Sequence, residues 1–499
     1  MSGTVTLADW QEHARNLSLR SGAYIDGASV EAVSGATFDN FSPTTGEVLN
    51  QVASTDSADV DRAVTVARSA FARGDWAHSS PSDRKEVLLR LAQLIRDNAD
   101  ELALLECLDM GKPITDALTV DVPGAAGVWQ WHAEAIDKIY DEVAPTGRGD
   151  LALVRREPLG VVAAVVPWNF PLDMAAWKCA PALATGNSVI LKPAEQSPLS
   201  ALRLAELATE AGVPDGVLNV LPGFGETAGQ ALGRHLDVDC LAFTGSTEVG
   251  KYFLKYSAES NAKQVWLELG GKSPNLVFAD ASSLDEVAAK AAFGIFFNQG
   301  EVCSANSRLL VHRSVKDELL ELLVGQAESM APGHPLDPST AMGALVTREH
   351  TDQVMRFVVS GRSSARLVTG GERLTLSSDC FVTPTIFDNV TADHEIARDE
   401  IFGPVLSVMS FDDETEAVAI ANGTRYGLAA SVWTSDLSRA LRVSEQLHVG
   451  TVSVNTVDAL SPMTPFGGFK QSGMGRDLSL HSYDKYTGLK TTWISYKHE

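Results

Sequence analysis

Cys303 and Glu268 are the two side chains whose types and settings could do covalent chemistry on a carbonyl. Cys303 ends the run Asn298-Gln299-Gly300-Glu301-Val302-Cys303, and Glu268 stands just before the glycine pair Gly270-Gly271. A thiol can attack a carbonyl carbon, and a carboxylate can activate the water that releases the resulting thioester. The competing reading is a small buried apolar cysteine and a surface glutamate. Asn169, in Pro167-Trp168-Asn169-Phe170-Pro171, adds a neutral amide that could donate to an oxyanion, or else a turn residue that fixes its loop.

The surrounding pattern is an α/β alternation. Residues 160–166 form a continuous apolar, β-branched run, so Asn169 falls at a strand's carboxyl end, where open α/β sheets place ligands. Strands at 188–191 and 217–221 alternate with helices at 174–184 and 201–211. A second alternation begins near 271, with strands at 275–278, 308–311, 405–408 and 429–433 and helices at 287–296, 315–330, 414–422 and 437–447. Continuous apolar strands, each followed by an amphipathic helix, imply parallel sheets covered on both faces. Upstream, a helix at 7–17 leads to a strand and turn at 23–27 and a surface hairpin region through 41–49, then helices from 57 and 81 as far as 136. Residues 140–157 read as a two-stranded excursion with a turn at 147–150; it cannot bury itself and must lean on another part of the chain or on another subunit. A terminal strand is expected at 490–496.

Other residues at strand ends could grip a nucleotide. Lys192 and Glu195 have the spacing to hold two hydroxyls of one ribose, and a carboxylate there favours NAD over NADP; the same pair is also a common surface motif. Gly223-Phe224-Gly225-Glu226-Thr227-Ala228-Gly229 misses the dinucleotide fingerprint by one residue, and the stretch from Phe243 to Gly250 lacks its middle glycine. What remains is strand, small-residue turn and helix, with Gly245-Ser246 placed to donate to phosphate at a helix N-terminus.

Composition bounds the partners. At 499 residues, two or three domains are expected. A net charge of −24 argues against nucleic-acid and anionic-membrane partners and is compatible with a cationic substrate, although an acidic surface that keeps the protein soluble explains it equally. The five cysteines are scattered without a C-x-x-C, so neither a disulfide framework nor a zinc site is expected, and a reducing cytoplasm fits. The N-terminal residues from Met1 to Trp10 have no secretory pattern, and the apolar runs are too short to span a bilayer.

Seven segments in order resemble the NAD(P)-dependent aldehyde dehydrogenase superfamily over essentially the whole chain. They are Pro-Trp-Asn-Phe-Pro, Leu-Lys-Pro-Ala-Glu, Phe-Thr-Gly-Ser-Thr, Leu-Glu-Leu-Gly-Gly-Lys, Asn-Gln-Gly-Glu-Val-Cys, Glu400-Ile401-Phe402-Gly403-Pro404 and Pro465-Phe466-Gly467-Gly468-Phe469-Lys470-Gln471-Ser472-Gly473. The resemblance implies an α/β fold with a Rossmann-like cofactor domain (1–138 and 159–270), an α/β catalytic domain (271–470), and a β-hairpin oligomerisation element with a C-terminal strand (139–158 and 471–499). It implies Cys303 as nucleophile, Asn169 with the Cys303 backbone N–H as oxyanion donors, and Glu268 as general base for deacylation. Cofactor contacts are implied for Trp168, Lys192, Glu195, Gly225, Ser246, Glu400 and Phe402, with NAD preferred and NADP possible. The implied reaction is oxidation of an aldehyde to a carboxylic acid through a thiohemiacetal and a thioester, in a homo-oligomer, dimer or tetramer. Asp477 departs from the family's usual glutamate, and the shorter acid alters the proton path near Glu268.

Within the superfamily the chain is most similar to γ-glutamyl-γ-aminobutyraldehyde and ω-amino- or guanidino-aldehyde dehydrogenases of polyamine and arginine breakdown. The family's substrate tunnel corresponds here to Phe170, Asp173, Met174, Trp177, Phe297, Asp458 and Phe466. Asp173, with Asp121 or Asp458, is expected to attract a cationic tail, with Trp177 contacting it through its ring face; a purely local hydrogen bond for Asp173 has equal standing. Asp458-Ala459-Leu460-Ser461-Pro462 departs from that subfamily's Gly-Gly-Asp pattern. Alternatives are a broad-specificity aliphatic or aromatic aldehyde dehydrogenase, a thiol esterase using the same Cys303, and a non-catalytic binding homologue on the same fold.

Overall fold

The structure, a computed structural model, describes residues 5–496. Residues Met1–Thr4, part of the N-terminal stretch read above for targeting, lie outside the described residues.

Two large sheets carry the chain. The first has eight strands in the order Ala28–Val30, Ala23–Ile25, Leu218–Val220, Ser188–Lys192, Val161–Val165, Cys240–Thr244, Gln264–Glu268, Gly473–Met474. Its five central strands are parallel. Val161–Val165, Ser188–Lys192 and Cys240–Thr244 are buried at every position, as the apolar runs require for a sheet covered on both faces. The order matters. From Val161–Val165 the chain steps outward to Ser188–Lys192 and Leu218–Val220, then returns to the other side of Val161–Val165 with Cys240–Thr244. The crevice beyond the carboxyl ends of those two neighbours is the point where such sheets bind ligands.

The second sheet has seven strands, in the order Arg366–Thr369, Thr385–Asp388, Val405–Phe411, Arg308–His312, Pro274–Val277, Ala429–Trp433, Thr451–Val454, all parallel except the first. Strand Thr385–Asp388 and helix Arg348–Ser364 were not anticipated from the sequence.

One expectation needs correcting. Residues 23–25 are not a surface element: Ala23–Ile25 is buried throughout and lies between Leu218–Val220 and the edge strand Ala28–Val30, paired antiparallel with both, Tyr24 opposite Val220. At the other edge, Gly473–Met474 pairs antiparallel with Leu267 and Glu268, so part of the expected C-terminal oligomerisation segment lies on the strand that carries Glu268.

The excursion at 140–157 does find a partner. Asp150–Pro158 pairs with Glu142–Ala144 on one side and along its whole length with Thr487–Ser495 on the other, giving a three-stranded sheet. Among the described residues no helix is long and apolar enough to cross a membrane.

Candidate active site

The crevice beyond the carboxyl ends of the first sheet holds a cavity of about 210 Å³. Cys303, Glu268 and Asn169 all line it, and so do Trp168, Ser246, Glu400 and Phe402. Phe170, Met174, Gly245 and Gly270 are also on its walls. Glu268 arrives as the last residue of strand Gln264–Glu268, and Asn169 sits on the loop between Val161–Val165 and helix Pro171–Ala184.

Cys303 is delivered by a tightly wound turn. Asn298, Gln299 and Gly300 adopt left-handed φ values of 49°, 58° and 74° in succession. Two of the three are not glycine, so the turn costs energy that its surroundings must offset. Asn298 supplies part of that support: its Nδ2 donates to the carbonyls of Asn169 (3.1 Å) and Glu301 (3.2 Å). Asn169 Nδ2 donates to the same Glu301 carbonyl at 2.8 Å, which fixes the amide beside Cys303. The glycine pair explains itself by space. A Cβ on Gly271 would lie 2.4 Å from the Cys303 carbonyl oxygen, and one on Gly270 would lie 1.9 Å from Glu400 Oε2. Only hydrogen side chains let the cysteine loop and Glu400 approach the strand end that carries Glu268.

Electrostatics leave the resting pair neutral. Burial pushes the Cys303 thiol well above its ordinary value, with Glu268, Asp458 and Glu400 adding to the shift. Glu268 is pushed up to about 8, chiefly by burial; Lys178 and Cys303 pull against it, while Asp477 and Glu400 push with it. Its Oε1 has no hydrogen-bond partner within the chain. A half-buried thiol beside a carboxyl near its titration point is a nucleophile and a base poised to exchange a proton.

Of the residues expected to hold a cofactor, Trp168, Ser246, Glu400 and Phe402 line the cavity, whereas Lys192, Glu195 and Gly225 do not. Ser246 is the N-cap of helix Thr247–Ala258, its Oγ accepting from the Val249 N–H at 3.2 Å, so the free N–H groups of that first turn face the sheet's crevice. Glu400 Oε1 accepts from the Gly271 N–H at 2.9 Å, and burial lifts its carboxyl to about 7. Phe402 holds a left-handed φ of 57°; His350 Nε2 donates to its carbonyl at 2.7 Å, and burial keeps that imidazole neutral with a pKa near 4. Trp168 meets Phe402 edge-on at 5.3 Å. Lys192 is buried, with Nζ 3.7 Å from Glu195 Oε2 and donating to the Pro193 carbonyl at 2.9 Å. Glu195 lines a separate, larger cleft of about 950 Å³ beside residues 346–349 and 375–380. Gly225 begins an exposed turn and lines neither space.

The expected substrate residues divide. Phe170, Phe297 and Phe293 form a stacked array with centroids 6.1 and 4.8 Å apart. Trp177 and Phe466 pack edge-on at 5.3 Å and are 5% and 2% exposed, which makes them core as much as wall. Asp173 is half-buried with Oδ1 sealed and without a partner; burial and the charge of Asp121 lift it to about 7, against the pull of Lys112 and of a hydrogen bond with Trp177. Beside it lies Gly124, where a Cβ would stand 3.4 Å from Asp173 Oδ1. Asp121 does not join it as a free charge: it is fully sealed and ion-paired with Lys112 at 2.6 Å. Asp458 is occupied differently, accepting from Ser304 Oγ at 2.6 Å next to Cys303.

Sequence reasoning missed Gln353, which reaches the cavity from helix Arg348–Ser364, and Thr244. Thr244 stands one residue before the Gly245-Ser246 turn and could have been found there; Gln353 is one polar residue on an amphipathic helix and carries no local signal. Among the described residues no group of His, Cys, Asp and Glu side chains is arranged to hold a metal ion.

Comparison with known proteins places the geometry in context. The family model described as "Aldehyde dehydrogenase family" matches residues 30–492. The NADP/NAD-dependent aldehyde dehydrogenase PuuC of Escherichia coli is 53% identical over 98% of this chain and 98% of its own length. The aminoacetaldehyde dehydrogenase of Pseudomonas aeruginosa is 49% identical over 99% of each. The solved structure of an indole-3-acetaldehyde dehydrogenase of P. syringae in complex with NAD+ and IAA superposes with a TM-score of 0.98 at 55% identity, covering 99% of this chain and 100% of that one. A γ-glutamyl-γ-aminobutyraldehyde dehydrogenase structure from Burkholderia cenocepacia superposes with a TM-score of 0.97 at 57% identity, with the same coverage.

Proposed function

The chain belongs to the aldehyde dehydrogenase family and carries out NAD-dependent aldehyde oxidation, and we propose that its substrates are ω-amino, γ-glutamylamino or guanidino aldehydes processed through a Cys303 thioester. The observation that carries the chemistry is the convergence of Cys303, Glu268 and Asn169 on one cavity with Glu400, Phe402 and Ser246.

In this reading Glu268 takes the Cys303 proton and passes it to solvent, and Sγ adds to the aldehyde carbon. The oxygen that becomes negative is held by Asn169 Nδ2 and the Cys303 N–H, in a site whose donors are fixed before the reaction starts. NAD, when bound, supplies the two-electron acceptor that turns the adduct into a thioester. Glu268 then takes a proton from water, the hydroxide adds to the acyl carbon, the C–S bond breaks, and the Cys303 thiol and a carboxylic acid are restored.

The residues present fit a dinucleotide. Ser246 opens a helix N-terminus suited to a pyrophosphate. Glu400 is folded against Gly270, and Lys192 with Glu195 can hold the two ribose ends. The acid at Glu195 favours NAD over NADP. The first sheet would form the cofactor domain and the second the catalytic domain.

For the substrate, the supporting observation is Asp173. A half-buried carboxyl with one oxygen unpartnered within the chain, beside exposed Gly124, is a costly arrangement unless a donor joins it. A cationic tail would supply that donor, and relatives named for aminoacetaldehyde and γ-glutamyl-γ-aminobutyraldehyde agree with it. The exposed apolar side chains of Leu489, Trp493 and Ile494 on strand Thr487–Ser495 support a homo-oligomer, dimer or tetramer, built across the three-stranded sheet. The free cysteines fit a cytoplasmic setting.

The test is NADH formation from a panel of ω-amino, γ-glutamylamino, guanidino, aromatic and aliphatic aldehydes, each with NAD and with NADP. The reading expects the cationic aldehydes to lead in kcat/KM with NAD; a panel led by neutral aromatic aldehydes would displace it in favour of a broad-specificity enzyme.

A further inference from the structure

Glu268 has a charged group at its back that the reaction described above does not use. Asp477 accepts through Oδ2 from Lys178 Nζ at 2.5 Å and through Oδ1 from Lys485 Nζ. None of the three side chains is more than 4% exposed. They share with Glu268 the walls of a pocket of about 10 Å³, room for one water. Two ammonium groups and one carboxylate leave this buried trio with one net positive charge.

The trio is built from separate elements. Lys178 comes from helix Pro171–Ala184, whereas Asp477 and Lys485 come from the C-terminal segment that clamps the base-bearing strand. Gly473 pairs with Glu268 itself, and the Lys485 carbonyl accepts from Trp266 Nε1 at 3.2 Å, two residues before Glu268. The charged and titratable groups that face Glu268 are Lys178, Asp477, Glu400 and Cys303, and the Arg476 guanidinium lines the same small pocket, its Nη1 donating to the Gly468 and Gly475 carbonyls. Those that face Lys485 are Asp477, Lys178 and Cys240, with His132 close enough to feel its charge and the Tyr486 ring 5.2 Å away.

We infer that Lys485 is a positioning residue for Glu268: by taking the second oxygen of Asp477 it leaves a net positive charge behind the base and favours the ionised, water-activating form of Glu268. The inference rests on Glu268 acting as the general base. Without Lys485, Asp477 would cancel Lys178, and the positive charge behind Glu268 would fall by one. Burial already lifts Glu268 to about 8. Losing a facing cation lifts it further, and a carboxyl with a raised pKa stays protonated to higher pH. Lys485, brought down to about 8 by burial, still carries its charge at neutral pH.

The test follows hydrolysis of the Cys303 acyl-enzyme in single turnovers, by quench and intact mass, from pH 6 to pH 9.5. Lys485→Met is expected to move the acid limb of hydrolysis up by about one pH unit, which is about tenfold in rate at pH 7, while the rate of NADH formation in the same turnover holds. Lys485→Arg is expected to return the limb to its wild-type position. A slower reaction at every pH with an unmoved limb would mean a structural role and would overturn the inference. If Lys485→Met does not fold, Lys485→Gln removes the charge at a smaller change in shape and is read in the same way. Glu268→Gln is the control: slow hydrolysis at every pH upholds the base, and an unmoved limb in Lys485→Met then refutes Lys485 alone. Wild-type hydrolysis in Glu268→Gln would remove both.

Discussion

Replacing Asp173 with leucine separates what the residue does for the fold from what it does for the substrate. Asp173 Oδ1 is sealed and has no partner within the chain, and a buried polar atom left this way costs roughly 1–3 kcal/mol. Removing it should leave stability unchanged or raise it by about 1 kcal/mol, read as a higher midpoint in denaturant. Activity should move the other way. A charge-assisted hydrogen bond to a cationic tail is worth about 2–3 kcal/mol, so kcat/KM for 3-aminopropionaldehyde, relative to butyraldehyde, should fall by roughly 30- to 150-fold. The neutral aldehyde is nearly the same size, so the ratio cancels the titrations of Cys303 and Glu268. It also carries a pH signature. The Asp173 carboxyl is lifted to about 7, so it is ionised above that pH and protonated below it. In the wild-type protein the preference for the cationic aldehyde should therefore grow between pH 6 and pH 8, by about tenfold for a single group at that pKa, and it should be flat in Asp173→Leu. A ratio that changes by less than about twofold on substitution, a small fraction of one hydrogen bond's worth, would refute a cation site at Asp173.

Two further substitutions probe the machinery around Cys303. Asn169→Ala should slow thioester formation by about 10²-fold through loss of one oxyanion donor, while alkylation of Cys303 by iodoacetamide stays near the wild-type rate; equal losses in both would point to a collapsed loop. Gly270→Ala places a Cβ 1.9 Å from Glu400 Oε2. It should displace that carboxylate and weaken NAD binding about tenfold or more, measured by calorimetry, because overpacking costs about 1–3 kcal/mol; unchanged affinity would show that Glu400 takes no part in holding the cofactor.

Much of this was legible in the chain because its strands are short, apolar and followed by amphipathic helices. That pattern puts Asn169, Lys192 and Ser246 at strand ends, and the sheet order brings Asn169 and Ser246 to one cavity. Glu268 and the glycine pair were legible as a motif, but the reason for the glycines, contact with the Cys303 carbonyl and with Glu400, depends on residues more than 30 positions away. Other features were invisible for the same reason. The ion pair that occupies Asp121, the Ser304 hydrogen bond to Asp458 and the reach of Gln353 into the cavity are set by packing between elements, and no local spacing announces them. The burial of Ala23–Ile25 does not show in the sequence, because a three-residue strand has too little periodicity to reveal that all its positions are buried.

The central claim is that Cys303 carries the acyl group and Glu268 releases it. The most direct measurement is intact-mass analysis of Glu268→Gln mixed with an aldehyde and NAD, with peptide mapping of the adduct. One acyl group on Cys303 per chain, one equivalent of NADH and then a stall are expected, because the thioester forms and water is not activated. Continued turnover at the wild-type rate, or an adduct absent from Cys303, would contradict the account.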